Sequence, residues 1–294
     1  FYSAVCGWQK RRFDWEVKPE WITFVPSVVA SINIAIRSFT NEGDGVIIQQ
    51  PVYDPFATIV KNDNRKVVNN GLVQVNNEFK MNLEELEALA AKPENKLMVL
   101  CSPHNPVGRV WKKEELTAVA EICLKHDVIL VADEIHADIV YEGYKHYPLL
   151  SLDKRYEESF ILLTAPSKTF NVAGLKASMS IIPNKELREK FEHTQKVMSL
   201  DVRNTFGLEC VSAAYTDEGE EWMKQEIAYM QKNVDFLEKF VEEQMPGAKM
   251  IRPQGTFLCW LDLSGLHLGD QELFQRVVFE ANVICVPGTW FGPG

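Results

Sequence analysis

The sequence has no lysine or arginine tract longer than Lys10-Arg11-Arg12, no CxxC pair and no low-complexity segment or internal repeat. Each absence excludes something. Its 31 lysines and arginines are outnumbered by 41 carboxylates, for a net charge of −10. Such a chain offers no basic footprint to nucleic acid or to an anionic membrane surface. The longest apolar runs, such as Val128–Ala132, are far shorter than the roughly 20 residues a membrane span needs. Neither GxGxxG nor GxxxxGKS/T occurs, so there is no dinucleotide fingerprint and no P-loop. The six cysteines are scattered. Cys101, Cys259 and Cys285 sit in strand-like apolar runs, where a cysteine acts as a small hydrophobe. Buried free thiols in a reducing compartment, the cytoplasm, are therefore expected. No signal peptide is visible. The chain also lacks an initiator Met, opens inside helix-like sequence (Tyr2–Phe13) and stops in the loop 288–294, as a fragment cut at both ends would.

What is present is ordinary globular composition, 46% apolar and 24% charged over 294 residues, enough for one large domain and a smaller one. Short β-rich runs alternate with amphipathic stretches, which predicts an α/β fold: a mostly parallel sheet with helices on both faces. Strands are expected at Gly45–Gln49, Leu97–Ser102, Val128–Ala132, Phe160–Thr164 and Ser178–Ile182. Helices are expected at Lys113–His126 and at Asn82–Ala91, the latter capped by Asn82 with Glu85 three residues on. A long helix is expected from Asp217 to Met245, stopped by Pro246-Gly247. The tail then changes texture. Strands at Lys249–Arg252, Thr256–Leu263 and Val283–Val286, with a helix through Asp270–Ala281, predict a smaller α+β domain over 233–294, following a large domain over 1–232.

Four stretches carry chemistry. In SFILLTAPSKTFNVAGLK an apolar strand exits into Ser167 and Lys168, with Lys176 a turn or two later. Open α/β sheets bind ligands at such exits, and a lysine desolvated there becomes a nucleophile. An ordinary solvated loop lysine has the same local signature. In VILVADEIHADIVY a buried strand ends in Asp133, a costly placement unless the acid meets a positive partner. An Asp capping the following segment is the plainer use. His136 and His146 with one of these acids match no zinc spacing, so no metal is expected. In KLMVLCSPHNPVGRVW a third strand opens into a turn carrying Asn105. In FVPSVVASINIAIRSF, Pro26-Ser27 opens a helix whose first free N–H groups belong to Val28 and Val29, a ready anion site. Ser27 there can equally be only an N-cap.

Asn105–Gly108 (Asn-Pro-x-Gly), Asp133, Ser167-Lys168 and Lys176 in this order resemble the signature of fold-type I pyridoxal-phosphate enzymes of the aminotransferase class I/II superfamily. The wording of Pro51–Phe56, Ser102–Trp111, Asp133–Tyr141 and Thr164–Leu175 is similar to the bacterial cystathionine β-lyase or C–S lyase branch, and the likeness runs through essentially the whole chain. The resemblance implies an aspartate aminotransferase-like fold and pyridoxal 5'-phosphate as cofactor. It implies that Lys168 bonds covalently to the cofactor and shuttles the substrate α-proton. Asp133 would pair with the pyridine nitrogen, and Asn105 would donate to the ring's phenolic oxygen. His136 stands at the neighbouring position where many relatives have Tyr. Tyr53 would stack on the ring, while Ser167, Lys176 and the N–H groups of Val28 and Val29 would hold the phosphate. Many relatives have Gly where Ser27 stands. The substrate-carboxylate arginine is expected beyond 286–294, and a tyrosine from the neighbouring subunit before Phe1.

The branch implies β-elimination from L-cystathionine or a related cysteine S-conjugate. Transamination uses the same residues and stays open, and a cofactor-binding regulatory protein is a third, remote reading. A small amino-acid substrate and a homodimer are implied. The sequence itself supports the dimer only through the exposed-looking aromatics Trp111, Tyr144 and Tyr147.

Overall fold

The computed structural model describes residues 1–293. The chain runs α1 (Tyr2–Phe13), β1 (Ile22–Val25), α2 (Val28–Phe39), β2 (Gly45–Ile48), α3 (Pro55–Asn62) and β3 (Lys66–Asn69). A small hairpin, β4 (Val73–Val75) and β5 (Glu78–Lys80), precedes α4 (Leu83–Ala90), β6 (Asn95–Cys101), α5 (Lys113–Lys125) and β7 (Ile129–Asp133). Then come β8 (Phe160–Thr164), β9 (Ser178–Ile181), α6 (Lys185–Val197), α7 (Thr205–Ala214) and α8 (Asp217–Gln244). The C-terminal part holds β10 (Lys249–Ile251), β11 (Trp260–Asp262) and α9 (Asp270–Gln275).

Seven strands form one sheet in the order β1-β9-β8-β7-β6-β2-β3. The pairs from β8 to β3 are parallel, while β9 runs antiparallel to both β8 and β1. Central strands such as β6, β7 and β8 are near-continuous apolar runs because helices cover both of their faces. Ile32, Ile36, Phe56 and Phe191 from α2, α3 and α6 pack on one face. Val5, Leu86, Leu116, Val119 and Val211 from α1, α4, α5 and α7 pack on the other. The mostly parallel sheet with helices on both faces is the architecture the alternating pattern predicts.

Local signals work where they close locally. The Asn82 side chain accepts the Glu85 N–H at 3.2 Å and caps α4, but Glu85 does not reciprocate. Its carboxylate takes Asn70 Nδ2 at 2.9 Å instead. Thr216 caps α8, which buries Met223, Val234 and Val241 and ends before Gly247 at φ +90.

Several expectations fail. Val283–Val286 forms no strand: among the described residues no strand lies beside it, Val283 N bonds only back to Val277 O at 3.0 Å, and an apolar run with no neighbouring strand has no ladder to join. Cys259 and Cys285 are exposed rather than buried, because the outer surface of the two-stranded β10–β11 sheet and the segment after α9 carry no cover among the described residues. Cys101 is buried as expected, and Cys6 and Cys210 are half-buried. The expected strand at Thr256–Leu263 shrinks to β11, since the backbone at Thr256 turns through φ +68. The expected helix through Asp270–Ala281 is α-helical only over α9, and Arg276–Glu280 loosens into a π-helical turn. Trp111 is buried, not exposed: its indole N–H donates to the Cys101 carbonyl at 2.9 Å and the Arg109 guanidinium stacks 4.8 Å above the ring. Tyr144 is exposed and Tyr147 half-buried. Gly294, the last residue of the 286–294 stretch, lies outside the described residues.

The C-terminal part meets the sheet's loops at the turn 254–256, as well as through Phe291, whose carbonyl accepts Val52 N at 3.1 Å, and Met250, whose carbonyl accepts Asn77 Nδ2 at 3.1 Å. Gln254 N and Gly255 N donate to the Gly108 carbonyl at 2.7 and 3.1 Å, and Thr256 N donates to Ile139 O at 2.9 Å. A Cβ at Gly255 would stand 2.6 Å from Ile139 O and 2.8 Å from Val110 Cγ2. Gly255→Ala is therefore expected to lower stability by about 1–3 kcal/mol through this overlap. A urea midpoint unchanged from wild type would show that the contact relaxes freely.

Candidate active site

The loops at one edge of the sheet bring the predicted residues together, and strand direction explains why. β6, β7 and β8 run parallel, so Asn105, Asp133 and His136, and Ser167 and Lys168, all follow carboxyl ends at the same edge. β2 also ends there and leads to Tyr53. β9 runs the other way, so its beginning lies at that edge and Lys176 with it. β1 is antiparallel to β9, so it exits there too, into Ser27 and the N-terminus of α2. All nine predicted residues, Val28, Val29, Tyr53, Asn105, Asp133, His136, Ser167, Lys168 and Lys176, line one cleft of about 320 Å³.

The α2 terminus is built for an anion. The Ser27 hydroxyl accepts Ala30 N at 3.1 Å, and Ser31 N bonds the Ser27 carbonyl at 3.0 Å, so Ser27 is an N-cap. The N–H groups of Val28 and Val29 are left without an acceptor among the described residues. Ser167 and Lys176 line the same cleft. Lys176 adopts φ +50, a left-handed conformation that costs a residue with a side chain of order 1 kcal/mol, tolerated where the fold determines it elsewhere.

At the other end of the cleft, Asp133 is 4% exposed at the end of β7. Burial lifts its pKa to about 7, against the opposing pull of the Ile135 N–H, which donates at 3.0 Å, and of the Lys168 charge. His136 is buried too. Burial first, then Lys168, pushes its pKa down to about 3, so the ring is neutral. The Oδ1 of Asn105 and the Nδ1 of His136 are buried without a hydrogen-bond partner among the described residues. Tyr53 is held by its backbone N–H on the Asn105 carbonyl at 3.1 Å, and desolvation with the nearby Asp133 raises its pKa.

The cleft therefore pairs an anion cradle with a buried acid that lacks a cation and polar atoms that lack partners. Pyridoxal phosphate matches this donor set: a phosphate for the helix end, a basic ring nitrogen for Asp133, and a phenolic oxygen for the polar group beside it. Among the described residues no cluster of metal-ligating side chains occurs.

Sequence reasoning missed two contributors. Cys101, the last residue of β6, lines the cleft and its sulfur accepts the Asn105 N–H at 3.3 Å. A cysteine closing an apolar strand carries no signal beyond hydrophobicity. Phe257, at the turn from the C-terminal part, places its ring centroid 5.2 Å from that of His136. Only the tertiary contact reveals it.

Comparison with known proteins gives the same direction. The aminotransferase class I and II family profile matches residues 2–293. The chain is 41% identical over 292 residues to cystathionine beta-lyase PatB of Bacillus subtilis, covering 99% of this chain and 75% of that one. It is 30% identical to protein MalY of Escherichia coli, covering 99% and 74%. Cystalysin from Treponema denticola, solved with a pyridoxal 5'-phosphate cofactor, superposes with a TM-score of 0.97 at 36% identity, over 99% of this chain and 74% of that one.

Proposed function

The chain belongs to the aminotransferase class I and II family, and on that premise we propose that it is a pyridoxal-phosphate-dependent carbon–sulfur β-lyase. It cleaves L-cystathionine, or a related cysteine S-conjugate, with one water to a thiol, pyruvate and ammonia. The observation that carries the reading is that Asp133, buried and without a salt-bridge partner among the described residues, shares one cleft with the α2 anion cradle and Lys168. Three lyase relatives or neighbours of high coverage support the branch.

Val28, Val29, Ser167 and Lys176 would hold the cofactor phosphate. Asp133 would meet the ring nitrogen, which gives the buried acid the cation it lacks. Asn105 would turn its amide to the phenolic oxygen with His136 beside it, and Tyr53 would cover a ring face. When bound, pyridoxal phosphate supplies an aldehyde that captures amines and a protonated ring that accepts the electron pair of the broken Cα–H bond. Lys168 anchors it, then takes the α-proton on Nζ and keeps it within the cleft. The neutral His136 and the cover of Tyr53 limit water at that atom. A thiolate leaves readily from Cβ because thiols ionise near roughly pH 8.5.

We assign 1–232 to the large cofactor-binding domain and 233–294 to a smaller one, supported by the separate β10–β11 sheet and by the cluster of Val234, Val241 and Met250, which packs against Tyr141 of the large domain. The substrate is a small amino acid. A homodimer fits the bare Val197 at the end of α6, Val202 in the link that follows and Phe206 in the first turn of α7. Among the described residues no helix is long and apolar enough to cross a membrane, and the free thiols Cys101 and Cys123 in the core fit a reducing cytoplasm.

The test is pyruvate release from L-cystathionine by the protein loaded with pyridoxal phosphate, with no keto acid added. Steady release over many turnovers is expected. No pyruvate, with amino transfer appearing once a keto acid is supplied, would replace the lyase by an aminotransferase.

A further inference from the structure

Thr256 is fully buried and β-branched, yet it sits at φ +68, a conformation such residues rarely adopt. The turn around it is fixed from several sides. Thr256 N donates to Ile139 O at 2.9 Å, and the Tyr141 hydroxyl donates to Thr256 O at 2.8 Å. Tyr141 N reaches Gln254 O at 3.0 Å, and Val110 N reaches Gln254 Oε1 at 3.0 Å. The partners lie on the loops that carry His136 and Asn105. A strained residue held this firmly points to what it presents, and it presents the next side chain. The Phe257 ring remains 48% exposed beside His136 and Lys168 instead of entering the core.

Among the described residues the Lys168 ammonium has no hydrogen-bond or ion-pair partner, and its Nζ lies 5.8 Å from the Phe257 ring centroid. That is within range of a cation–π attraction. We propose that Phe257 is a positioning residue for Lys168: its ring holds the lysine nitrogen over the cleft and favours the charge that nitrogen gains on taking the α-proton. The inference rests on the proposed function, because it assigns Phe257 a part in that same site. The titratable and charged groups facing Lys168 are Asp133 and His136 after β7, Tyr53 before α3, Cys101 at the end of β6, and Lys176 before β9. Of these only His136 touches the Phe257 ring, and its pKa of about 3 keeps it neutral over the range titrated.

The measurement is a pH titration of the visible absorbance of bound pyridoxal phosphate in wild type, Phe257→Leu, Phe257→Met and Phe257→Trp. Leucine and methionine keep apolar bulk and lose the ring; tryptophan keeps a ring of stronger cation–π character. The midpoint is expected to fall by about half a pH unit in the leucine and methionine variants and to stay at or above wild type with tryptophan. The two ring-less variants are also expected to lose about tenfold in kcat with KM changed less than about threefold, as proton transfer to a misplaced amine requires. Melting of the cofactor-free variants within a few degrees of wild type confirms folding. Leucine and methionine midpoints equal to wild type would overturn the inference and leave the proposed function standing. A wild-type chain that takes up no cofactor would overturn both.

Discussion

Replacing Lys168 by alanine is expected to abolish turnover, by about 10⁴-fold or more, and to remove the covalent attachment of pyridoxal phosphate. The argument is geometric. Lys168 follows the carboxyl end of β8, lies half-buried in the cleft, and has no hydrogen-bonded or ion-paired duty elsewhere among the described residues. Its loss therefore removes chemistry and little packing, so the melting temperature of the cofactor-free protein should change by no more than a few degrees. Two readings check this: borohydride reduction, which fixes the cofactor on wild type only, and partial return of activity when a small primary amine is added. A Lys168→Ala protein that turned over at the wild-type rate would sink the whole assignment.

The second large effect concerns Asp133, where activity and stability are expected to move in opposite directions. In the cofactor-free fold burial lifts the Asp133 pKa to about 7, against roughly 3.9 in an unfolded chain. Between those values the folded state holds a proton that the unfolded state has released. The contribution of Asp133 to stability is therefore complete below about pH 4 and is lost as pH rises through about 7. The full loss is on the order of 2–4 kcal/mol. Asp133→Asn removes that dependence, so the cofactor-free variant should melt roughly 5–10 °C above wild type at about pH 8 and close to it at about pH 4. Activity should fall by about 10²-fold or more, because an amide cannot keep the ring nitrogen protonated. Equal melting differences at both pH values would show that Asp133 is not buried uncharged. Undiminished activity would show that it does not face the cofactor.

What was legible in the sequence follows from how locally each signal closes. β6, β7 and β8 announce themselves because a strand buried on both faces is a continuous apolar run, and the chemistry follows each at a fixed short offset, as at Asn105, Asp133 and Lys168. The four residues of β1 are just as buried but follow the short helical turn Pro19–Trp21, and become a strand only by pairing with β9 across more than 150 residues. β3, at the sheet edge, is only partly buried and reads as mixed polarity. The hairpin of β4 and β5 turns on Asn76 and Asn77, both at positive φ, where Asn-Asn is a weaker turn signal than Asn-Gly. Val283–Val286 is the converse case: apolar texture without a partner. Trp111 shows why aromatic exposure is hard to read, since one indole hydrogen bond and one guanidinium decide it. Thr256 and Phe257 were invisible because the strain that aims them is imposed by Ile139, Tyr141 and Gly108, far away in sequence.

The cleft draws its walls from six strand ends and exists only when β1, β9, β8, β7, β6 and β2 are all in register. An unfolded chain presents no fragment of it worth binding. A cofactor with that selectivity is also a ballast on the folding equilibrium: at a free concentration about a hundredfold above its Kd it adds roughly 2.7 kcal/mol. Cofactor supply thus sets two quantities at once, the fraction of molecules able to react and the fraction that survives proteolysis. Starvation for it should thin the protein's steady-state abundance before any transcript changes.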